Sequence, residues 1–337
     1  MIHRTAATWQ TETWQEALKE LIRTPEELCR VLELDPGLLE GARAGAGDFA
    51  LRVPRAYAAR MEKGNPRDPL LLQVLPLAEE LNAEPGYTED PLAEAEANPH
   101  PGLIHKYRGR VLLIVTGSCA INCRYCFRRH FPYENNRTGK ASWQPALDYI
   151  RRDRSITEVI FSGGDPLGAP DSLLAWLSGQ IADIDHVQRL RVHSRLPVVI
   201  PARITDDCLD WLATSRFANT LVIHANHANE IDHEVAGALA RLRGAGVTVL
   251  NQTVLLRGIN DSLEALQNLS ERLFTCGVLP YYLHLLDKVK GAAHFDVDTA
   301  SAVHLHRQLQ ASMSGYLVPK LVREIAGEPC KTPVYCD

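Results

Sequence analysis

The chain lacks any apolar run that approaches the roughly 20 residues needed to cross a bilayer. It also lacks an excess of basic residues: 36 Lys and Arg stand against 41 Asp and Glu, which gives a net charge of −5. Proteins that bind nucleic acids generally do so through a basic surface that attracts the phosphates. We therefore expect neither a membrane protein nor a nucleic-acid-binding protein.

The N-terminus lacks the apolar segment of a secretory signal, because polar residues and tryptophans follow Met1. The chain also lacks two neighbouring cysteine pairs of the kind that hold a structural zinc ion. Five of its eight cysteines are scattered instead, at positions 29, 208, 276, 330 and 336. These absences predict a cytoplasmic protein whose cysteines stay reduced.

The other three cysteines are close together in the sequence. Cys119, Cys123 and Cys126 have the spacing C-x3-C-x2-C, and Tyr125 precedes the last of them. Three thiolates at this spacing can hold three corners of a [4Fe–4S] cluster, which leaves the fourth iron open to a small molecule. A disulfide cannot pair all three, and a structural zinc ion would need a fourth ligand. The spacing therefore predicts an iron–sulfur cluster with one open iron.

Short runs rich in Val, Ile and Leu recur from residue 111 onward and alternate with amphipathic stretches. The runs cover 111–115, 158–161, 190–193, 220–224, 247–254 and 281–286, and the amphipathic stretches include 143–152, 172–181, 232–243 and 262–274. Six strand–helix units predict a parallel α/β fold, and they are too few to close an eight-stranded barrel. We expect an open (β/α)6 partial barrel with the cysteine loop at its carboxyl-terminal mouth.

The first 100 residues lack strand periodicity and are predicted to be helical. Thr24, Pro25 and Glu27 form the start signal of one helix in this region. A group of helix-breaking residues at 98–102 separates it from the rest of the chain. The sequence thus predicts an N-terminal helical region, residues 1–100, followed by the partial barrel, residues 101–337.

The cysteine motif and the turn after the second strand resemble the radical S-adenosylmethionine (SAM) family, whose fold is a partial barrel of this type. In that family SAM binds the open iron, and a Gly-Gly-acidic turn binds the amino group of its methionine. A Gly-Gly turn alone is usually only a tight connection. The resemblance implies SAM as a cofactor, with Gln252 at its ribose and further contacts from Tyr125, Ser162, Gly163, Gly164 and Asp165.

The region from Pro101 to Val334 resembles, more narrowly, the lysine 2,3-aminomutase family. There a loop ending in Lys-Thr-Pro anchors pyridoxal 5′-phosphate (PLP) covalently, and this chain has Lys331-Thr332-Pro333 after a Gly/Pro-containing stretch. Without the resemblance, Lys331 would be taken for a solvated loop residue. The resemblance implies that Lys331 is catalytic and carries PLP, and that three cations contact the PLP phosphate: Lys106, Arg110 and Arg195.

The same resemblance implies the substrate. Arg128 matches the arginine that pairs with the substrate carboxylate, and Asp287 and Glu324 stand where the family receives the distal ammonium of lysine. Two carboxylates require a cationic side chain, which favours lysine over glutamate. The alternative is that both form surface salt bridges. In the family, a radical derived from SAM acts together with PLP to move the amino group of (S)-α-lysine from C2 to C3.

Several strings are typical of the enzymes that make (R)-β-lysine for elongation factor P, to which a separate ligase attaches it. These strings are 51–55, 60–66, 122–133 and 291–295. Ser262 stands where larger relatives have a zinc-binding cysteine, so we expect no zinc site. The resemblance also implies a protein reductant such as flavodoxin or ferredoxin.

The sequence leaves three alternatives open. One is a stand-alone lysine 2,3-aminomutase of catabolism or secondary metabolism. Another is a non-catalytic iron–sulfur redox protein, and the last is a radical SAM enzyme that works without PLP. They differ in measurable properties: the fate of the product, the cleavage of SAM and the binding of PLP.

Overall fold

The computed structural model describes residues 13–47, 49–136, 140–213 and 215–335. Cys336 and the N-terminal segment judged for a secretory signal lie outside the described residues. The α-helices are α1 (Trp14–Lys19), α2 (Pro25–Val31), α3 (Leu38–Ala46), α4 (Arg55–Ala58), α5 (Gln144–Arg152), α6 (Asp171–Ala182), α7 (Leu196–Val199), α8 (Asp206–Ala213), α9 (His233–Gly244), α10 (Leu263–Thr275) and α11 (Thr299–Ser312). The strands are β1 (Leu103–Tyr107), β2 (Arg110–Thr116), β3 (Glu158–Gly163), β4 (Arg189–Ser194), β5 (Ala218–His224), β6 (Thr248–Val254), β7 (Leu279–His284), β8 (Lys320–Arg323) and β9 (Thr332–Pro333).

The strands form one open sheet in chain order, from β1 to β9. Strands β2 to β8 run parallel, and the edge strands β1 and β9 pair antiparallel with their neighbours. The predicted open parallel α/β fold is confirmed, because each of the six predicted runs forms one of the strands β2 to β7. The sequence did not reveal β1, β8 and β9, since strands of 5, 4 and 2 residues are too short to establish a pattern.

Local capping explains where several helices begin. Thr24 Oγ1 accepts a hydrogen bond from the amide of Glu27 at 3.2 Å, and Ser262 Oγ caps α10 in the same way.

In the N-terminal region the last α-helix ends at Ala58, and residues 59–102 form mainly turns. That segment contains seven prolines, each of which lacks the N–H that a helix interior requires. Among the described helices, none is long and apolar enough to cross a membrane.

The N-terminal region and the barrel share one hydrophobic core. Leu28 and Tyr57 belong to the same buried cluster as Val159 and Leu190 of the sheet, and all four side chains are fully buried. Burial of such side chains contributes about 1.5–3 kcal/mol each to folding. The N-terminal region is therefore held against the barrel by apolar contacts.

The N-terminal region also supports the loop that carries the cysteines. The amide of Asn122 donates to Arg52 O at 3.1 Å, and the amide of Arg124 donates to Gln73 O at 2.9 Å. The fully buried guanidinium of Arg124 donates twice to Glu80, at 2.8 and 2.6 Å. Breaking a buried pair of this kind is costly, because the remaining charge has no partner. These contacts fix the backbone of the cysteine loop.

Candidate active site

Most of the predicted site residues lie at the carboxyl ends of the parallel strands, which meet at the mouth of the barrel. Residues far apart in the sequence are therefore brought to one edge of the sheet. The cysteine loop follows β2, residues 162–165 close β3, Arg195 follows β4, Gln252 lies near the end of β6, Asp287 follows β7, Glu324 follows β8 and Lys331 precedes β9. Lys106 lies in the antiparallel edge strand β1, and Arg110 is the first residue of β2.

The two glycines at the end of β3 are required by a close approach to the cysteine loop. The amide of Gly164 donates to Thr116 O at 2.7 Å, and the amide of Asp165 donates to Ser118 O at 3.0 Å. A Cβ atom on Gly164 would lie 2.4 Å from Ser118 O, and one on Gly163, whose φ is +119°, would lie 2.5 Å from Thr116 O. Only glycine permits these contacts. The turn thus positions the cysteine loop, and its contact with SAM stays a prediction.

The cysteine thiols are buried close to one another. Burial raises the pKa of Cys126 to about 12 and that of Cys119 well above its usual range, and the charge of Cys123 raises both further. Iron binding overcomes this by displacing the thiol protons. Within the described residues, no three His, Cys, Asp or Glu side chains are arranged to hold one metal ion. A [4Fe–4S] cluster does not need three ligands around one metal ion, because each cysteine binds a different iron of the cluster. The three cysteines therefore fit a [4Fe–4S] cluster.

Arg195 lies beside the cysteines. Its Nη1 donates to Cys123 Sγ at 2.7 Å and to Tyr125 OH at 2.8 Å, and its Nη2 donates to Glu230 at 2.9 Å. Glu230 is fully buried, and this ion pair gives its carboxylate a cationic partner. The described contacts of Arg195 thus lie on the cluster side of the mouth, and its contact with the PLP phosphate stays a prediction.

Tyr125, His224 and Gln252 lie near one another on the cluster side of the mouth. The hydroxyl of Tyr125 is 2.9 Å from His224 Nε2, and the two rings stack with their centroids 5.7 Å apart. Gln252 is the register partner of His224 across β5 and β6. The structure thus brings together two of the predicted SAM-binding residues, and their contact with SAM stays a prediction.

The carboxylate of Asp165 is occupied by the protein itself. It accepts hydrogen bonds from Ser194 Oγ at 2.6 Å and from the amides of Arg195, Leu196 and Leu167 at 2.7, 2.9 and 3.1 Å. Four donors fill the acceptor sites of a carboxylate. We therefore expect the amino group of SAM to meet the backbone of residues 162–164 rather than the side chain of Asp165.

A continuous series of ion pairs joins the residues predicted to bind PLP and the substrate. It runs Arg128–Glu94–Lys106–Glu324–Lys331, and we call it the ion-pair chain. Arg128 donates to Glu94 twice, at 2.7 and 2.9 Å, and Lys106 Nζ donates to Glu94 at 3.0 Å. Lys106 also donates to Glu324, to which Lys331 Nζ donates at 2.5 Å. Opposite charges alternate throughout, which strengthens each hydrogen bond.

Both carboxylates of the ion-pair chain are held ionised. Burial raises the pKa of Glu324, but the charges of Lys331 and Lys106 outweigh it and hold the pKa well below its usual range. The pKa of Glu94 is also lowered, because Arg128 and then Lys106 outweigh the effect of burial. Glu324 pairs with two lysines in this structure, and its contact with a substrate ammonium stays a prediction.

Sequence reasoning missed Glu94. It lies in an acidic stretch together with Glu89, Asp90 and Glu96, and such a stretch is typical of a solvated loop. Its buried side chain distinguishes it from the exposed Glu96, and no pattern in the sequence reveals this difference. Glu230 was also missed, because no pattern in the sequence shows that its side chain is buried.

Asp287 differs from the other carboxylates of the site. Its side chain makes no hydrogen bond or ion pair with any residue that the structure describes. Burial raises its pKa to about 7, the charge of Glu324 raises it as well, and Lys331 and Lys106 oppose both effects. A half-buried carboxylate without a direct cationic partner favours the binding of a positively charged ligand group.

A cavity of about 350 Å³ lies beside the ion-pair chain. Its walls are formed by Leu92, Ala93, Glu96, Ala97, residues 324–328, and His105, Lys106 and Tyr107 of β1. The guanidinium of Arg110 lies over the ring of Tyr107, 4.5 Å from its centroid. A cavity of this size accommodates a small cofactor. A lysine nucleophile with two cations nearby for a phosphate fits PLP.

Comparison with known proteins agrees with this chemistry. Residues 113–270 match the model of the radical SAM superfamily, whose cofactors are a [4Fe–4S] cluster and SAM. The chain is 53% identical to the L-lysine 2,3-aminomutase of Escherichia coli (strain K12) over 98% of this chain and 96% of that protein. It is 52% identical to the L-lysine 2,3-aminomutase of Haemophilus influenzae over 96% of each. Similarity of this extent over nearly the full length places the chain in the L-lysine 2,3-aminomutase family of radical SAM enzymes.

Proposed function

We propose that the protein is a PLP-dependent lysine 2,3-aminomutase that converts (S)-α-lysine into (R)-β-lysine. The observation that carries the proposal is the unpaired carboxylate of Asp287 near the cations Lys106 and Lys331. A substrate for such a site has a negative group at one end and a positive group at the other. Lysine meets this requirement, and the similarity to L-lysine 2,3-aminomutases supports it.

Different residues at the mouth of the barrel bind the cluster, PLP and the substrate. The cluster and SAM supply, when bound, a radical that takes and returns a hydrogen atom, and PLP supplies the covalent handle for the migrating amino group. Binding of PLP by Lys106 and Lys331 would free Glu324 to pair with the ammonium beside Asp287. The remaining roles are iron binding by Cys119, Cys123 and Cys126, the PLP anchor at Lys331, the phosphate at Lys106 and Arg110, and the substrate carboxylate at Arg128.

Anaerobic reconstitution tests this proposal. The protein is loaded with iron, sulfide, SAM, PLP and lysine, reduced with dithionite or flavodoxin, and the product is analysed by chiral chromatography. We expect (R)-β-lysine, together with 5′-deoxyadenosine that forms only when SAM is present. Product without PLP would identify an enzyme that works without it, and the absence of SAM cleavage would favour a redox protein.

We further propose that the β-lysine serves the modification of elongation factor P by a separate ligase, rather than catabolism or secondary metabolism. The strings at 51–55 and 122–133 support this use, since they are typical of that pathway. Deletion of the gene is expected to remove the β-lysyl mass from elongation factor P, and added (R)-β-lysine is expected to restore it. Full modification in the deletion strain would refute the pathway but leave the aminomutase chemistry intact.

A further inference from the structure

Glu94 contacts both of the cations that the proposed function assigns to negative groups of the ligands. Its two carboxylate oxygens bridge Arg128, proposed for the substrate carboxylate, and Lys106, proposed for the PLP phosphate. The side chain of Glu94 is only 2% exposed. A carboxylate this deeply buried needs cations or several hydrogen bonds as partners, and Glu94 has two cations.

The loop that carries Glu94 is built to keep its side chain inward. The carboxylate of Asp90 accepts hydrogen bonds from the amides of Glu94 and Ala95, at 2.9 and 3.1 Å. Leu92 is buried at 3% exposure, and Ala93 adopts a left-handed φ of +48°. A non-glycine residue adopts this conformation only when its surroundings enforce it. These contacts fix the backbone at Glu94, and the ion pairs with Arg128 and Lys106 then hold its side chain inward.

Glu94 also determines which edge of Arg128 is available to a ligand. It accepts from Nε and Nη2, which form one side of the planar guanidinium. Nη1 lies 3.1 Å from Ser162 Oγ and 3.4 Å from Gly163 O. A hydroxyl and a distant carbonyl are weaker acceptors than a carboxylate, so a substrate carboxylate can take their place. The free edge of Arg128 thus faces the end of β3.

We propose that Glu94 is a positioning residue that stays in place when the ligands bind and orients Arg128 toward the substrate carboxylate and Lys106 toward the PLP phosphate. This inference rests on the proposed function. The opposite possibility is that Glu94 occupies the sites of the two ligand anions and is displaced by them. The two possibilities predict opposite effects for Glu94→Gln, which keeps the shape and removes the charge.

The test compares Glu94→Gln with Glu84→Gln, which removes the same charge from an exposed residue earlier in the same turn-rich segment, away from the walls of the cavity. For each protein, iron content, the Kd for PLP from absorbance titration, and the KM and kcat for lysine are measured. For Glu94→Gln we expect a rise of tenfold or more in KM and of several-fold in the Kd for PLP, with unchanged iron content. Glu84→Gln should match the unaltered protein in all four quantities.

A lower KM or a lower Kd for PLP in Glu94→Gln would overturn the proposal, and so would unchanged values. If Glu94→Gln does not fold, Glu94→Asp serves as the second variant. Its shorter side chain cannot bridge both cations, so we expect at least one of the two constants to rise, and unchanged values of both would again overturn the proposal. Failure of the unaltered protein to form β-lysine would refute the proposed function instead.

Discussion

The mouth of the barrel has two halves that are held together in different ways. Around the cysteines, backbone hydrogen bonds and the close approach of Gly163 and Gly164 fix the chain. Around Lys331, the ion-pair chain joins five side chains that lie between residues 94 and 331. The first half depends on backbone contacts of the cysteine loop with β3 and with the N-terminal region, and the second depends on ion pairs between side chains.

The two halves are therefore expected to bind their ligands in different ways. We expect the backbone hydrogen bonds to hold the cysteine loop in one geometry whether or not the cluster is bound. The binding site can therefore form before iron binds. Ion pairs can exchange partners, because a lysine that leaves a carboxylate for a phosphate keeps a charge-assisted hydrogen bond. We therefore expect changes in the first half to abolish cofactor binding, and changes in the second half to weaken it by degrees.

Removal of one cluster ligand should have the largest effect. In Cys123→Ala we expect iron content to fall close to zero and SAM cleavage to disappear, because two cysteines cannot hold the cube. Uptake of PLP should remain unchanged, since no described ion pair of the second half involves a cysteine. Cys330→Ala, next to Lys331 and exposed, is the control and should keep its iron. Normal iron content in Cys123→Ala, or joint loss of iron and PLP, would contradict this comparison.

A change in the backbone framework should come next. In Gly164→Ala the added Cβ atom would lie 2.4 Å from Ser118 O, so that the turn or the cysteine loop must move. We expect a loss of about 1–3 kcal/mol of stability, measured by thermal unfolding, together with lower iron content.

Gly237→Ala is the matched control, because this glycine is exposed within α9 and has open space around it. Alanine there should stabilise the protein by about 0.5–1 kcal/mol. Equal stability and iron content in the two variants would show that the close approach at Gly164 is unimportant.

A smaller effect is expected from the second half. A charge-assisted contact is worth about 1.5–3 kcal/mol, so Asp287→Asn should lower kcat/KM for lysine by roughly tenfold or more. Iron content and the Kd for PLP should stay unchanged. Asp185→Asn, exposed in the loop before β4, serves as the control. Unaltered kcat/KM in Asp287→Asn would remove Asp287 from the substrate site.

The smallest effect should be a pH dependence. Because burial raises the pKa of Asp287 to about 7, its carboxyl group is protonated below that pH and cannot pair with an ammonium group. We expect kcat/KM for lysine to rise as the pH increases through about 7 and then to level off. The step should vanish in Asp287→Asn, and its persistence there would assign it to another group.

The sequence predicted the first half of the mouth better than the second. The cysteine spacing and the Gly-Gly turn are local patterns, and the six central strands have clear apolar runs. Glu94 could not be found in this way, because its burial depends on Asp90 and on cations 12 and 34 residues away along the chain. The ion pair between Arg195 and Glu230 could not be found either, because no pattern in the sequence indicates that Glu230, in another loop, is buried.

The most direct test of this comparison between the halves is to identify the lysine that binds PLP covalently. The PLP-loaded protein is reduced with borohydride, digested, and its peptides are mapped by mass spectrometry, with Cys123→Ala treated in parallel. We expect the pyridoxyl group on Lys331 in both proteins, because the ion-pair chain does not depend on the cluster. A pyridoxyl group on Lys106, the other lysine of the ion-pair chain, or on any lysine outside it, would contradict this expectation.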